Sequence, residues 1–216
     1  MKFTAVIFDL DGTLLDHFTA IHKVFSVVFE KVGAPPRSFE EVKRAVGGSH
    51  ETTLRKFVTE EQFPEATRIY RELIQGEMAL EGVSLLDGVK ETLVELQRRG
   101  VKLGVLTNKW GLITRRLLAH LEVEQFFGAV VGVEDTPWKK PQPEMTHYAL
   151  EKLGVTARET LLVGDSPFDV ATARAAGLKV CLVPTGTHSR EQLVEEKPDW
   201  LVKSLRDVVA IVERGS

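Results

Sequence analysis

Ala5-Val6-Ile7-Phe8-Asp9-Leu10-Asp11-Gly12-Thr13 is the stretch from which the rest of this chain is read. Its apolar half, rich in Val, Ile and Phe, has the composition of a strand buried on both faces, as in a parallel sheet. The run ends in two carboxylates. Side chains two apart on an extended chain point the same way, so Asp9 and Asp11 converge at the carboxyl end of the strand, where open α/β sheets hold their ligands. Gly12 permits a tight turn there, and Thr13 offers a hydroxyl and an N–H. Two close carboxylates repel unless a cation or a shared proton relieves them, and a hard divalent metal would also attract phosphate. A calcium loop does not fit: it needs a glycine at its sixth position and a glutamate at its twelfth, whereas Gly12 is the fourth residue counted from Asp9 and Ala20 the twelfth. A polar strand end that caps the next helix explains one aspartate and not two.

The chain has 216 residues and a net charge of −3, enough length for a sizeable core and no basic stripe for nucleic acid. Its one cysteine, Cys181, sits in the apolar run Lys179 to Val183, so no internal disulfide forms and a reducing, cytoplasmic home is expected. No apolar stretch approaches the roughly 20 residues of a membrane span, and Met1-Lys2-Phe3 leads into the first strand without a signal peptide. The sequence does not distinguish a monomer from a homodimer.

Outward from the first strand, Ile21, Val24, Phe25, Val28, Phe29 and Val32 make one apolar helical face that Gly33 stops. Ser38 and Glu41 form a capping-box pattern for a second helix, Gly47-Gly48 interrupts it, and helical stretches follow around Glu51 to Phe57 and Pro64 to Leu80. With no strand signal between Phe18 and Gly82, residues 17–82 read as an all-α insert in an α/β core of residues 1–16 and 83–216. From Asp87 onward β and α alternate. Strands are expected at Val101 to Leu106, Ala129 to Val133, Thr160 to Val163 and Lys179 to Val183, separated by helices that Gly100, Gly154 and Gly177 help to close. Polar helices follow from Ser189 and from Ser204. The fold class is α/β, a doubly wound, Rossmann-like parallel sheet with a site at the strand ends.

Polar residues collect at those ends: Asp9 and Asp11, Thr107 and Asn108, Lys140, Asp165 and Asp169. Three acidic groups suit an oxygen-ligated Mg²⁺, and hydroxyl, N–H and ammonium groups suit phosphate oxygens. The motifs Asp9-Leu10-Asp11-Gly12-Thr13, Leu106-Thr107-Asn108, Lys140-Pro141 and Gly164-Asp165-Ser166-Pro167-Phe168-Asp169 stand in an order that resembles the haloacid-dehalogenase superfamily of phosphohydrolases, in the branch with a helical cap after the first strand. Thr107-Asn108-Lys109 and Lys139-Lys140-Pro141-Gln142-Pro143 are most similar to its phosphoglycolate phosphatase-like members.

The resemblance implies a Mg²⁺-dependent phosphatase of small phosphorylated metabolites. Asp9 would be the nucleophile and Asp11 the acid and base, with Thr107 and Lys140 completing the catalytic set. Asp9, Asp11 and Asp165 would hold the metal, Gly12, Thr13, Thr107, Asn108 and Lys140 the phosphate, while Asp169 and Ser166 support them from behind. In the cap, Arg44, Gly47, Gly48, Ser49 and His50 form the most suggestive stretch for substrate choice, Arg44 as a bidentate partner for a carboxylate. A simple helix–helix turn explains the same glycines. His17 stands where the family often has a small serine. A phosphomutase of the β-phosphoglucomutase type and a pyrophosphatase of the same family share these motifs. A phospho-accepting receiver also places Asp, Thr and Lys at strand ends, but lacks a helical insert. Trp110, Trp138 and Trp200 read as packing residues.

Overall fold

In the computed structural model, which describes residues 2–215, the opening strand β1 (Ala5–Phe8) is the third of six parallel strands. Met1 and Ser216, the ends of the two expected core segments, lie outside the described residues. Along the chain come β2 (Leu15–Asp16), α1 (Phe18–Val32), α2 (Phe39–Ala45), α3 (His50–Leu54), α4 (Phe63–Ile74) and β3 (Ser84–Leu85). Then follow α5 (Val89–Arg98), β4 (Lys102–Trp110), α6 (Gly111–His120), β5 (Ala129–Val133), α7 (Pro143–Leu153) and β6 (Thr160–Gly164). The last elements are α8 (Pro167–Ala176), β7 (Lys179–Leu182), α9 (Arg190–Glu195), β8 (Trp200–Leu201) and α10 (Val208–Arg214).

The strand order is β5-β4-β1-β6-β7-β8, so the chain winds outward from β1 in both directions. β1 pairs with β4 and β6, which explains why its four residues are fully buried. Successive residues serve opposite faces of the sheet. Val6 and Phe8 join the cluster under α1, α5 and α6, whereas Ile7 joins the one under α7 and α8. Helices thus cover both faces, which is why the strands read as unbroken apolar runs. The expected doubly wound sheet is present, and Gly33, Gly154 and Gly177 end their helices in the left-handed region as read.

Some elements differ from the sequence reading. The helix expected through Leu80 stops at Ile74 and is followed by a 3₁₀ turn, Glu77–Leu80. The strand expected to end at Leu106 runs on to Trp110 through an irregular register. β2 and β3 form a two-residue antiparallel ribbon, Leu15 opposite Leu85 and Asp16 opposite Ser84, that ties together the two ends of the helical block. β8 adds a short edge strand. Two-residue strands have no period for a pattern to reveal.

In the helical block, the capping box of Ser38 and Glu41 forms as expected. α1 packs on α4 through Phe25 and Tyr70, whose rings lie 5.3 Å apart, and Phe29 meets Phe57 edge-on. The block's apolar side chains belong to the same cluster as one face of the sheet.

Candidate active site

The chemistry sits where β1, β4 and β6 end. Beyond β1, the Asp9 N–H still donates to the Val163 carbonyl at 2.8 Å, which fixes the backbone before the chain turns. The turn closes when the N–H groups of Thr13, Leu14 and Leu15 all donate to the Leu10 carbonyl. Gly12 lies at φ 84°, and a Cβ there would stand 2.7 Å from Asp165 Oδ2. Gly186 approaches the same oxygen, and a Cβ there would lie 1.6 Å from it. Two glycines therefore make the room that one carboxylate fills.

Lys140 is the centre of the buried charge. Its ammonium donates to Asp9 Oδ1 at 2.9 Å, to Asp169 Oδ1 at 2.7 Å and to the Leu106 carbonyl at 3.3 Å. Burial alone would favour the neutral amine, but Asp169 and Asp9 outweigh it and hold the proton far above the usual lysine range. Lys139 points to solvent. Asp169 also caps α8: its Oδ2 accepts from the N–H groups of Asp165 and Ser166 and from the Ser166 hydroxyl, the last at 2.6 Å. Both of its oxygens are thus spoken for.

Asp9, Asp165 and Asp169 place carboxylate oxygens within 4.8 Å of one another. Burial, and then the crowding of like charge, pushes Asp165 well up; Asp9 rises to about 6, burial again leading and Lys140 partly opposing. One lysine does not neutralise three carboxylates, so the cluster has a deficit of positive charge. The donor set, hard oxygens only, fits a divalent cation of the Mg²⁺ kind, and with Asp169 engaged, Asp9 and Asp165 are the side chains free to hold one.

Asp11 points elsewhere. Its Oδ2 accepts from Lys109 Nζ at 2.7 Å, and its Oδ1 lies 3.4 Å from His17 Nδ1. Burial would raise its pKa, yet Lys109 and then His17 hold the carboxyl well below the usual range. His17 is buried, and its Nε2 lies 2.6 Å from the Ala79 carbonyl. A carbonyl only accepts, so Nε2 carries a hydrogen and Nδ1 is turned to Asp11.

Above these groups lies a cavity of about 50 Å³. Its floor is Asp9, Asp11, Thr107, Asn108, Lys109, Asp165 and Ser166, and its roof comes from the helical block: Phe18, Ile21, Phe25, Val46, Gly47, Gly48, His50, Thr53 and Tyr70. Trp110 and Thr187 complete the wall. His50 stacks flat on Tyr70 at 4.8 Å, and burial pushes its imidazole down to about 4, so it is neutral.

The structure brings together Asp9, Asp11, Thr107, Asn108, Lys140, Asp165, Ser166 and Asp169, with Gly47, Gly48 and His50 above. It corrects other sequence readings. Thr13 is turned from the cavity and donates its hydroxyl to Asp165 Oδ1 at 3.0 Å, and the Gly12 N–H is used by the Leu15 carbonyl, so neither faces phosphate. Arg44 is exposed and outside the cavity wall, on the solvent side of a helix whose buried residues are Val42 and Ala45. Ser49 caps α3 through the Thr52 N–H instead of lining the cavity. His17 touches Asp11 rather than the space above it, and Trp110, read as packing, lines that space. Sequence reasoning passed over Lys109, Tyr70, Thr187 and Gly186. Thr187 lies in the loop after β7, so the strand-end rule that found Thr107 would have found it too.

A doubly wound sheet with carboxylates, an ammonium and a hydroxyl converging on its carboxyl rim under a helical roof defines a phosphoryl-transfer type of site. Residues 6–183 match the family model described as haloacid dehalogenase-like hydrolase, and the chain belongs to that family. It is 32% identical to the pyrophosphatase PpaX of Bacillus mycoides over 214 residues, covering 99% of each chain. It is 29% identical to the phosphoglycolate phosphatase of Escherichia coli over 227 residues, covering 94% of this chain and 90% of that one. A solved haloacid dehalogenase-like family hydrolase of Streptococcus pneumoniae superposes with a TM-score of 0.89 at 25% identity, covering 98% of this chain and 99% of that one. Within the family, these relatives place the chain among the phosphatases.

Proposed function

We propose that this protein is a cytoplasmic, Mg²⁺-dependent phosphatase that hydrolyses small phosphate monoesters, 2-phosphoglycolate foremost, through a phosphoryl group carried on Asp9. The observation that carries the reading is Asp9 itself: its Oδ1 is held 2.9 Å from Lys140 while its carboxylate faces a cavity that also receives Thr107 and Asp11. A nucleophile so oriented needs no rearrangement to meet phosphorus. Residues 17–82 serve as a cap over the core formed by residues 1–16 and 83–216. Among the described residues no helix is long and apolar enough to cross a membrane.

Asp9, Asp165 and the Asp11 main-chain carbonyl would hold the metal, which supplies neutralising charge and polarises the phosphoryl oxygens. Lys140 fixes Asp9 and offsets the charge gathering on the phosphoryl group. Thr107 Oγ1 already accepts from the Lys109 N–H at 3.1 Å, which leaves its hydroxyl hydrogen for a phosphoryl oxygen, with the Asn108 N–H beside it. Asp11, ionised at rest, relays to the departing oxygen the proton it shares with His17 and later takes one from the attacking water. A proton between Asp11 Oδ1 and His17 Nδ1 satisfies two buried atoms that otherwise have no hydrogen-bond partner among the described residues. The roof excludes water from the phosphorylated Asp9 until the leaving group departs.

A cavity of about 50 Å³ has room for the equivalent of a few waters by the measure of about 10–15 Å³ each, which suits a compact ester. The test is phosphate release by purified protein with Mg²⁺ from a panel including 2-phosphoglycolate, pyrophosphate, sugar phosphates and nucleotides. Compact substrates are expected to lead in kcat/KM, and EDTA to silence the reaction. Release from none of them, or full turnover in chelator, would refute the reading; an isomerised sugar phosphate without free phosphate would make the chain a mutase.

A further inference from the structure

The cavity holds one cation that hydrolysis of a plain ester leaves unexplained. Among the described residues lining it, Lys109 alone carries an ammonium. The other candidates for positive charge are engaged or absent: Lys140 lies below, bonded to two carboxylates, and His50 is neutral. Arg71 turns to Glu134 at 2.6 Å, and Arg44 stands in solvent.

Lys109 is held with its side chain only 6% exposed, yet among the described residues its three N–H donors have a single partner, Asp11 Oδ2 at 2.7 Å. A buried ammonium with donors to spare is costly unless a further acceptor arrives. Its position says which part of a substrate that acceptor belongs to. In the proposed reaction the Asp11 carboxyl must reach the ester oxygen that departs. Lys109 grips that same carboxyl, so it stands beside the atoms next along the leaving group.

We infer, building on the phosphatase reading above, that Lys109 is a specificity-determining residue that selects leaving groups bearing their own negative charge one carbon away from the ester oxygen, with a carboxylate as the matching group. The rest of the wall supports a single charge. The roof is mostly apolar and aromatic, with neutral His50 and Thr53 its polar side chains, and none of its described residues carries a positive charge. Lys109 already meets one carboxylate, Asp11, and its remaining N–H donors suit the two oxygens of one more. A leaving phosphate, as in pyrophosphate, brings more charge than Lys109 offsets. A neutral alcohol leaves the spare donors without a partner, and an unmatched buried donor is where polar sites discriminate most strongly.

The matched pair for the test is 2-phosphoglycolate and 2-hydroxyethyl phosphate, which differ in the carboxylate alone. In the wild-type protein with Mg²⁺, kcat/KM is expected to favour 2-phosphoglycolate by roughly 100-fold. Lys109→Met should bring that ratio within a few-fold of unity, and Lys109→Arg should keep most of it. Equal losses on both substrates in Lys109→Met would mean that Lys109 acts only through Asp11, and would overturn the inference. A higher kcat/KM for pyrophosphate than for 2-phosphoglycolate would assign the subsite to phosphate instead and overturn the carboxylate assignment. If Lys109→Met does not fold, as judged by thermal unfolding, the wild-type protein still decides: glycolate must inhibit at lower concentration than ethylene glycol, and equal inhibition overturns the inference. Hydrolysis of neither ester by the wild type refutes the phosphatase reading itself, whereas equal hydrolysis of both refutes only the role of Lys109.

Discussion

The rim of the sheet and the helical block above it solve opposite problems with polar groups. On the rim, charge is buried and shared: Lys140, Asp9 and Asp169 form one chain of contacts, and Asn108 accepts from the Lys140 N–H at 2.9 Å and donates to the Lys140 carbonyl at 3.2 Å. In the helical block charge stays outside. Arg68 pairs with Glu65 and Glu72 and Arg55 with Glu60, all in solvent, while the inner face is aromatic. Exposed pairs of that kind contribute about 0–1 kcal/mol each, whereas removing one partner from a buried pair costs about 3–5 kcal/mol. The rim is therefore intolerant of change and the roof tolerant, which is the division expected when one part performs a fixed reaction and the other admits a particular substrate.

The sharpest way to break this contrast is Asp9→Asn. The amide does not attack phosphorus, so turnover should fall by at least roughly 10⁴-fold while the fold persists with one less buried negative charge. Activity at a few per cent of wild type, with deamidation excluded by mass spectrometry, would take the nucleophile's role from Asp9.

Lys140→Met comes next. It leaves Asp9 and Asp169 facing each other without their cation, and urea unfolding at pH 7 should register a loss of about 3–5 kcal/mol. Steady-state kinetics should register a fall of roughly 10²- to 10³-fold. A variant as stable as wild type would mean that the rim is no more exacting than the roof.

The pH dependence of metal activation is a gentler probe. Because burial raises Asp9 to about 6, that carboxyl is protonated below this pH and ionised above it. A cation needs the ionised forms of Asp9 and of Asp165, whose carboxyl burial also raises, so the Mg²⁺ concentration for half-activation should climb at least about tenfold per unit as pH falls below about 6. A titration that stays flat down to pH 5 would exclude Asp9 as a ligand.

The smallest effects belong to the roof. His50→Ala should alter KM by about tenfold, since it opens the stacked wall over Tyr70, whereas Arg44→Ala should change kcat/KM by less than about twofold on any ester. A large and substrate-selective loss in Arg44→Ala would show that the helical block rearranges around substrate.

This division also explains what could be read from the chain. Asp9, Asp11 and Asp165 were legible because they stand where an apolar run ends, and strand ends are where such sheets gather their chemistry, whereas Lys140, seven residues past β5 and next to Lys139, was legible only through Pro141 and the family motif. Thr13 and Gly12 were misassigned for a related reason: the turn they form was correct, but whether a hydroxyl faces phosphate or a neighbouring carboxylate depends on β6, far along the chain. Lys109 illustrates the same limit, since its partner Asp11 lies 98 positions away. Arg44 was chosen for adjacency to Gly47-Gly48, but the buried residues Val42 and Ala45 set the inner side of α2 and leave Arg44 outside. The ribbon of β2 and β3 and the edge strand β8 have too few residues for any period to appear.

The central place of β1 has a consequence for biosynthesis. The strand precedes every other strand of its sheet along the chain, yet Ala5 finds its partners only in Lys102 and Thr160. Ala5 to Phe8, wholly apolar, must wait through synthesis of the entire helical block and of three further strands of its own sheet, β4, β5 and β6, before both of its edges are covered. At about 5–20 residues per second that interval lasts on the order of ten seconds or more. An apolar, uncharged strand waiting unpaired is the kind of segment that associates with other chains. Assembly of this protein is therefore expected to depend on holdase chaperones early in translation, and a circular permutant that begins at α5 and places β1 after β8 should need them least.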